Sequence, residues 1–523
     1  MSPNRGSRFR GRRHRSWTDR VAIGLAAMGA AAVLSAIPAP ALAHALGSSF
    51  PLPVPLWLYL IGAAIAVAAS FVVAIVVGKP PGVPPRYPTR RVGDRVARIG
   101  GIALRLLGLA WWYGAIVAGF LLGGDSLLPA VLFWIGIWVA IPMTSALLGN
   151  PWPSLSPFRT TYDAADALIR LVAGGRRLDL GVKIPNVRRG PAIVLLFVFI
   201  ILELIWPDRL QPRTLASMLL IYTLLTLLGM VTLGSVSWLR SFELFEILNG
   251  WFGRVGPAGR RTRRRELCAG CTDGCTPEHC VDCAECVAAR DGGDQGVELR
   301  WWITGLTEVQ PNVGWSDAGF ILLALAGVTF DGLQETSLGA QILSVLFPPL
   351  STAFGPLWAS YLAPSVMLAG LYGFFVAAFA VAVFLTRRIG TTSGSTTSGS
   401  TTADLGRMAG TYGPTLLPIA AGYLIAHYLT LVIQGIAWLP LLLVDPNALA
   451  PVLDLIPTAF IWYLSVAAIV GGHIAAVFLA HRLALRDHPK RPVLAGLPLV
   501  ILMIGYTVLS LWVIAQPIVV EPT

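Results

Sequence analysis

Residues 56–77 read LWLYLIGAAIAVAASFVVAIVV, twenty-two positions without one Asp, Glu, Lys, Arg or His. A helix needs roughly 20 such residues to cross the ~30 Å apolar core of a bilayer. Inside lipid every backbone N–H and C=O must be satisfied within the segment, so a run of this kind reads as a transmembrane helix. Nine further runs of similar character lie near 102–122, 130–148, 191–206, 214–237, 315–333, 362–385, 411–433, 456–479 and 493–516. Hydrophobic residues make up 55% of the 523-residue chain and charged residues only 13%. That charge content is about half of what a water-soluble surface needs. The fold class is all-α polytopic membrane protein with about ten transmembrane helices, and the lipid bilayer is its first partner.

The net charge of +12 would suit a nucleic-acid partner. Its distribution excludes that reading, because the basic residues sit in loops between apolar runs. Arg5, Arg8, Arg10, Arg12, Arg13, Arg15 and Arg20 precede a short apolar stretch, Val21 to Ile37, and then Ala41-Leu42-Ala43. A basic n-region, an apolar h-region and a small-x-small site form a signal peptide over 1–43. The mature chain then begins outside at His44 and crosses ten times, so its C-terminus also lies outside. On this topology only Arg209 and Arg213, of 39 Lys and Arg, fall in outer loops. The positive-inside rule asks for that asymmetry, and the pattern is that of a bacterial plasma-membrane protein.

The spans divide into two halves of five, 44–237 and 315–523, separated by a cytoplasmic segment, 238–314. Residues 160–178 and 239–253 carry apolar side chains at helical spacing and read as amphipathic helices on the inner membrane surface. In the second, Glu243 and Glu246 interleave with Leu239, Phe242, Phe245, Leu248 and Phe252. Residues 391–402, TTSGSTTSGSTT, form a flexible linker. The outer stretches 337–358 and 435–444 are apolar but carry Pro348, Pro349, Pro356 and Pro440, and read as interfacial or re-entrant.

All six cysteines fall between 268 and 286, in the order Cys268, Cys271, Cys275, Cys280, Cys283 and Cys286, with His279 among them. A C-x2-C turn points two sulfurs at one ion, and a cytoplasmic location disfavours disulfides. Zinc held by Cys268/Cys271 and Cys280/Cys283 is the first expectation, with Cys275, Cys286 and His279 available to a second or shared site. The alternative is an iron–sulfur cluster on the Cys280, Cys283, Cys286 run. Arg290 stands where that motif needs its fourth cysteine.

Ionisable groups within spans are expensive and default to functional hypotheses. Glu203 and His427 lie in the outer halves of two spans. Asp331, Glu335 and Gln434 lie at outer span ends, and His473 lies deeper. Carboxylate with imidazole binds divalent metals or relays protons. Glu203, Asp331, Glu335, His427, Gln434 and His473 are therefore candidates for an outward-facing polar site, while His481 reads as structural. No nucleophile elbow, H-E-x-x-H or P-loop occurs.

Several segments carry a resemblance. They are AHALG (43–47) with LPVPLWL (52–58), GNPWPSLSPFRT (149–160), PRTLA (212–216), TFDGL (329–333), LLPIAAGYLIAHY (416–428), GHIAAVFLAHR (472–482) and YTVLSLWVIAQP (506–517). Together they make the chain resemble the multi-pass bacterial membrane proteins that carry the name fenitrothion hydrolase. The name implies hydrolysis of an organophosphate ester, and it brings no catalytic residues with it. The cysteine segment and the 391–402 linker are additions to the family pattern. Three functions follow as expectations: a transporter or permease for a small solute or metal, a membrane-embedded phosphotriester hydrolase, and a membrane-coupled metal or redox sensor.

The cysteine spacing predicts that the full-length protein, purified anaerobically, carries at least one zinc ion per chain. Cys268→Ser or Cys283→Ser should lose most of it and Cys275→Ser less. Elemental analysis checks this, and a brown preparation containing iron and sulfide would replace zinc by a cluster.

Overall fold

A computed structural model describes residues 50–51, 54–78, 90–122, 124, 126–182, 187–262, 295–306, 313–390, 401–448 and 456–520. Residues 1–43, read above as a signal peptide, His44, the six cysteines with His279, and 391–400 lie outside the described residues. The described chain is overwhelmingly helical. Its principal helices are α1 (Leu56–Val77), α2 (Asp94–Leu121), α3 (Leu128–Leu147), α4 (Pro157–Val172), α5 (Gly190–Leu204), α6 (Pro212–Leu233), α7 (Leu244–Gly253), α8 (Trp315–Gln334), α9 (Ser337–Phe354), α10 (Pro356–Gly390), α11 (Leu417–Val444), α12 (Thr458–Asp487) and α13 (Pro492–Ile518). Ten helices among the described residues are long and apolar enough to cross a membrane. The protein is a multi-pass membrane protein.

Three helices set the frame, and all run the same way. The Arg189 guanidinium, at the start of α5, meets Asp317 in the first turn of α8 at 3.4 Å. Farther along, Ile193 lies against Gly319 and Ile200 against Gly327. A constant offset of this kind means that α5 and α8 lie side by side and in step. Gly413, just before α11, abuts Ala318, while His427 reaches Asp331, so α11 is parallel to them as well. Asp317 also accepts from the Gly314 N–H at 3.0 Å, which caps α8. The end where these helices begin is basic. Arg189 donates there to the Arg240 carbonyl, and Arg387 pairs with Asp404 at 3.0 Å.

α10 runs in the opposite sense. Its Phe379 ring meets Trp315 at 6.3 Å, and its Tyr372 hydroxyl donates to the Gly319 carbonyl at 3.3 Å. Tyr361, near its start, stacks on Trp206 just beyond α5. α9 therefore begins where α8 ends and finishes where α10 begins, both at the end opposite the arginines. Thr336 caps its start by accepting from the Gly339 N–H at 3.0 Å. Gly355 turns the chain at its finish with φ +84°, a conformation that favours glycine. α9 is apolar enough to span yet returns to the side it left, which agrees with the interfacial reading of 337–358. α5 has only fifteen helical residues but lies along α8 for its whole length. The second proline-bearing stretch differs from expectation: 435–444 continues α11, with Pro440 inside the helix. The last two residues of the 391–402 linker likewise begin a helix, Thr401–Tyr412.

Strand pairing ties the rest. β1 (Phe50–Pro51) pairs in parallel with β5 (Val519–Val520), which brings the two ends of the described chain together. β2 (Arg90–Arg91), β3 (Ala258–Thr262) and β4 (Gln295–Leu299) form a three-stranded sheet in the order β2-β4-β3. β3 and β4 are antiparallel and end on the pair Thr262 and Gln295, so the cysteine-bearing segment is inserted at the tip of a hairpin.

Helix contacts are close where glycine allows it. In α12, a Cβ added to Gly472 would meet the Pro418 carbonyl oxygen at 2.3 Å, whereas one added to Gly471 would meet nothing within 4 Å. Gly472→Val should therefore cost roughly 1–3 kcal/mol by forcing α11 and α12 apart. Thermal unfolding in detergent should show a lowered midpoint for Gly472→Val and an unchanged one for Gly471→Val.

Candidate functional site

α5, α8 and α11 bring ionisable groups to one level near the end opposite the arginines. The in-step packing of α5 on α8 sets Glu203 level with the turn that carries Asp331. One turn of α11 supplies His427 and Tyr428. His427 Nε2 lies 3.0 Å from Asp331 Oδ2, and the Tyr428 hydroxyl donates to the same oxygen at 2.7 Å. Asp331 and His427 are both buried, with side-chain exposures of 3% and 4%. Glu203 accepts from the indole Nε1 of Trp138 on α3. The Glu203 and Asp331 carboxylates lie close enough to repel one another.

Two local features make room for this layer. α3 is a π-helix from Val131 to Ala140, an uncommon form that recurs at functional sites. Within it Trp134 donates to the Arg209 carbonyl at 3.0 Å while Trp138 turns to Glu203. On the other side, Gly332 follows Asp331 and is needed for close packing. A Cβ there would meet Val513 at 2.4 Å and the Tyr423 hydroxyl at 3.2 Å. The Tyr423 ring stacks on His427 at 5.8 Å, and Tyr428 meets His427 edge-on at 4.6 Å.

The predicted candidates divide accordingly. Glu203, Asp331 and His427 come together. Glu335 lies at the exposed end of α8, near enough to feel them: partial burial and the Asp331 carboxylate push its pKa up, and His427 pulls the other way. Gln434 is buried seven residues beyond His427, about 10 Å farther along α11. His473 does not join the layer; its Nδ1 lies 2.8 Å from its own helix's Ile469 carbonyl. Sequence reasoning missed Trp138 and Tyr423. A Trp inside a span was an available signal for the first, because its N–H needs an acceptor in lipid.

A second polar network was missed at the basic end. Residues 239–253 do not lie on a membrane surface. They form a short helix, Ser235–Ser241, and then α7, almost wholly buried. Glu243 is fully buried and caps α7, accepting from the Phe245 and Glu246 N–H groups at 3.1 and 2.6 Å. It also accepts from the Trp152 indole at 3.1 Å and the Tyr222 hydroxyl at 2.8 Å. Glu246 takes a two-pronged contact from Arg159, at 2.7 and 3.3 Å. The carboxylates that patterned this stretch as amphipathic thus face donors from neighbouring elements, not water. The other amphipathic segment fits its pattern better. α4 buries Phe158 and Tyr162 while Leu168, Leu171 and Val172 stay exposed.

Comparison with protein-family models, with curated proteins and with solved structures finds no match to this chain. Of the segments quoted above, 329–333 and 416–428 meet in space: Asp331 comes from the first, and His427 and Tyr428, which contact it, come from the second.

Burial, reinforced by the neighbouring Glu246 carboxylate, pushes the Glu243 pKa up from 4.5 to about 7 against the pull of the Tyr222 hydroxyl and the Glu246 and Phe245 N–H groups. A carboxyl whose folded pKa is raised binds more protons folded than unfolded between those values, so stability falls as pH rises through that window. Its contribution is complete below about pH 4.5 and lost above about pH 7, on the order of 3 kcal/mol in all. Glu243→Gln should remove this slope. Thermal midpoints between pH 5 and 8 should drop less in the variant than in the natural protein.

Proposed function

We propose that the protein is a proton-coupled permease for a small solute, and that the Asp331–His427 pair is where the coupling proton resides. The observation that carries this reading is the shared oxygen. An imidazole nitrogen and a phenol hydroxyl both address Asp331 Oδ2, with a second carboxylate, Glu203, beside them. A carboxylate at this depth persists only with partners, and a carboxylate–imidazole pair that takes up or releases one proton changes the local charge by one unit. Transport uses such a change to favour one access state over another.

The reading includes an orientation. The arginine-rich end faces the cytoplasm of a bacterial cell and the Asp331 layer faces outward, as the positive-inside rule requires. It also keeps the expectation of zinc on Cys268, Cys271, Cys280 and Cys283, which lie in sequence between β3 and β4 and outside the described residues.

The test is proton movement into vesicles reconstituted with the full chain and loaded with a pH-sensitive dye, driven by a potassium diffusion potential. Asp331→Asn and His427→Ala should each abolish flux, at least about a hundredfold, since the loss of a positioned proton-transfer group commonly costs that much. Both variants should remain in the membrane. Flux that survives Asp331→Asn would overturn the proposal. Phosphotriester turnover that Asp331→Asn removes would replace transport by the hydrolysis that the resemblance implies.

A further inference from the structure

Buried polar atoms without a hydrogen-bond partner are rare, and each calls for a reason. Four of them stand in file along α11 and α12: the Tyr423 hydroxyl, Nε2 of His473, Nδ1 of His481 and Nε2 of His488. The two helices are antiparallel. The Ser465 hydroxyl donates to the Ala426 carbonyl at 3.1 Å, Gly422 sits on the Ala468 carbonyl, and Gly472 on that of Pro418. In this register Tyr423 is level with the turn around Ala468. His473, His481 and His488 then follow on one arc of α12, eight and seven residues apart. At 1.5 Å per residue the steps are roughly 8, 12 and 10 Å.

The file has a beginning and an end. Tyr423 stacks on His427 and holds its hydroxyl beside Gly332, next to Asp331. His473 is fully buried, and His481 is buried with the Phe71 ring edge-on to it at 5.4 Å. His488 caps α12 at the basic end, packed on Gly390, where the Asp404 and Asp487 carboxylates act on it. The bond from His473 Nδ1–H to the Ile469 carbonyl fixes the tautomer and leaves Nε2 as a bare lone pair. Three successive imidazoles on one arc of α12, each with an unused nitrogen, thus lead from a protonatable pair to the basic end.

We propose that this face of α12 is the proton path between the basic end and the Asp331–His427 pair, with water completing the gaps between the imidazoles. The inference rests on the proton-coupled reading above. At each station a hydronium proton adds to the bare ring nitrogen and gives an imidazolium. The imidazolium then releases one proton to the water on its far side and returns to neutral. One positive charge advances per step, no bond other than N–H and O–H forms or breaks, and nothing is oxidised or reduced. The final water lies between His473 and the Tyr423 hydroxyl, and from it the proton reaches the Asp331–His427 pair.

The test uses the full chain in bilayers, labelled with ¹⁵N-histidine and assigned by loss of signal in His473→Gln and His481→Gln. The unused nitrogens of His473 and His481 should resonate upfield of a bare ring nitrogen and receive magnetisation from water. Bare-nitrogen shifts with no transfer from water would overturn the path. The second arm is proton entry into dye-loaded vesicles, with the proton itself as probe. His473→Phe should slow entry at least about tenfold. Unchanged entry in that variant would overturn the path even with water present. Loss of entry in His473→Phe together with full entry in Asp331→Asn would uphold the path and sink the Asp331-centred permease.

Discussion

A carboxylate inside a bilayer-spanning bundle is the constraint from which most of this architecture follows. Asp331 cannot stand in the apolar interior alone, and its partners come from a different helix. The hydrogen bonds from His427 and Tyr428 therefore fix the depth and rotation of α11 against α8. Glu203 imposes the same demand on α5 and finds its donor, Trp138, on α3. Four helices are thus tied through two acids. Removing one partner of a buried charge typically costs roughly 3–5 kcal/mol, because the other charge is left uncompensated. The apolar contacts around the layer are individually replaceable; the polar ones are not.

The basic end repeats the device with a different purpose. Glu243 collects donors from Trp152, Tyr222 and the first turn of α7, and Glu246 collects Arg159. Between the two acidic centres lies a wall of aromatic rings. Trp138 packs on Phe199 at 4.3 Å and on Phe245 at 6.2 Å, and Phe245 meets Trp112 at 5.7 Å. Phe245 donates its own backbone N–H to Glu243. A shift of either carboxylate's surroundings therefore bears on the other through packed rings, which resist partial displacement.

The fold was legible where hydropathy alone decides. Residues 56–77 offer no alternative to a spanning helix, and α5 was readable despite its fifteen residues because Arg189 and Pro207 bracket a run that is apolar except for Glu203. α9 was not decidable by the same means. Its composition equals that of a span, and its return to the starting side is set by Thr336, Gly355 and the sense of α10. In the site, Glu203, Asp331 and His427 announced themselves as ionisable groups among apolar neighbours. Tyr423 did not, since a tyrosine in a span carries no such signal. The 239–253 stretch misled because an amphipathic pattern records only that two faces differ. It cannot tell water on the polar face from Trp152, Tyr222 and Arg159.

The β3–β4 hairpin has a consequence for how such a chain can change over generations. Its last pair, Thr262 and Gln295, holds the two ends of the cysteine-bearing segment side by side. The entropy of closing that loop is met by strand pairing anchored to the bundle through β2, and it grows only slowly with the length enclosed. Whatever occupies the tip is a cassette. It can be lengthened, exchanged or replaced by a tight turn while the ten crossing helices keep their register. The bundle and the tip are free to evolve under separate selection.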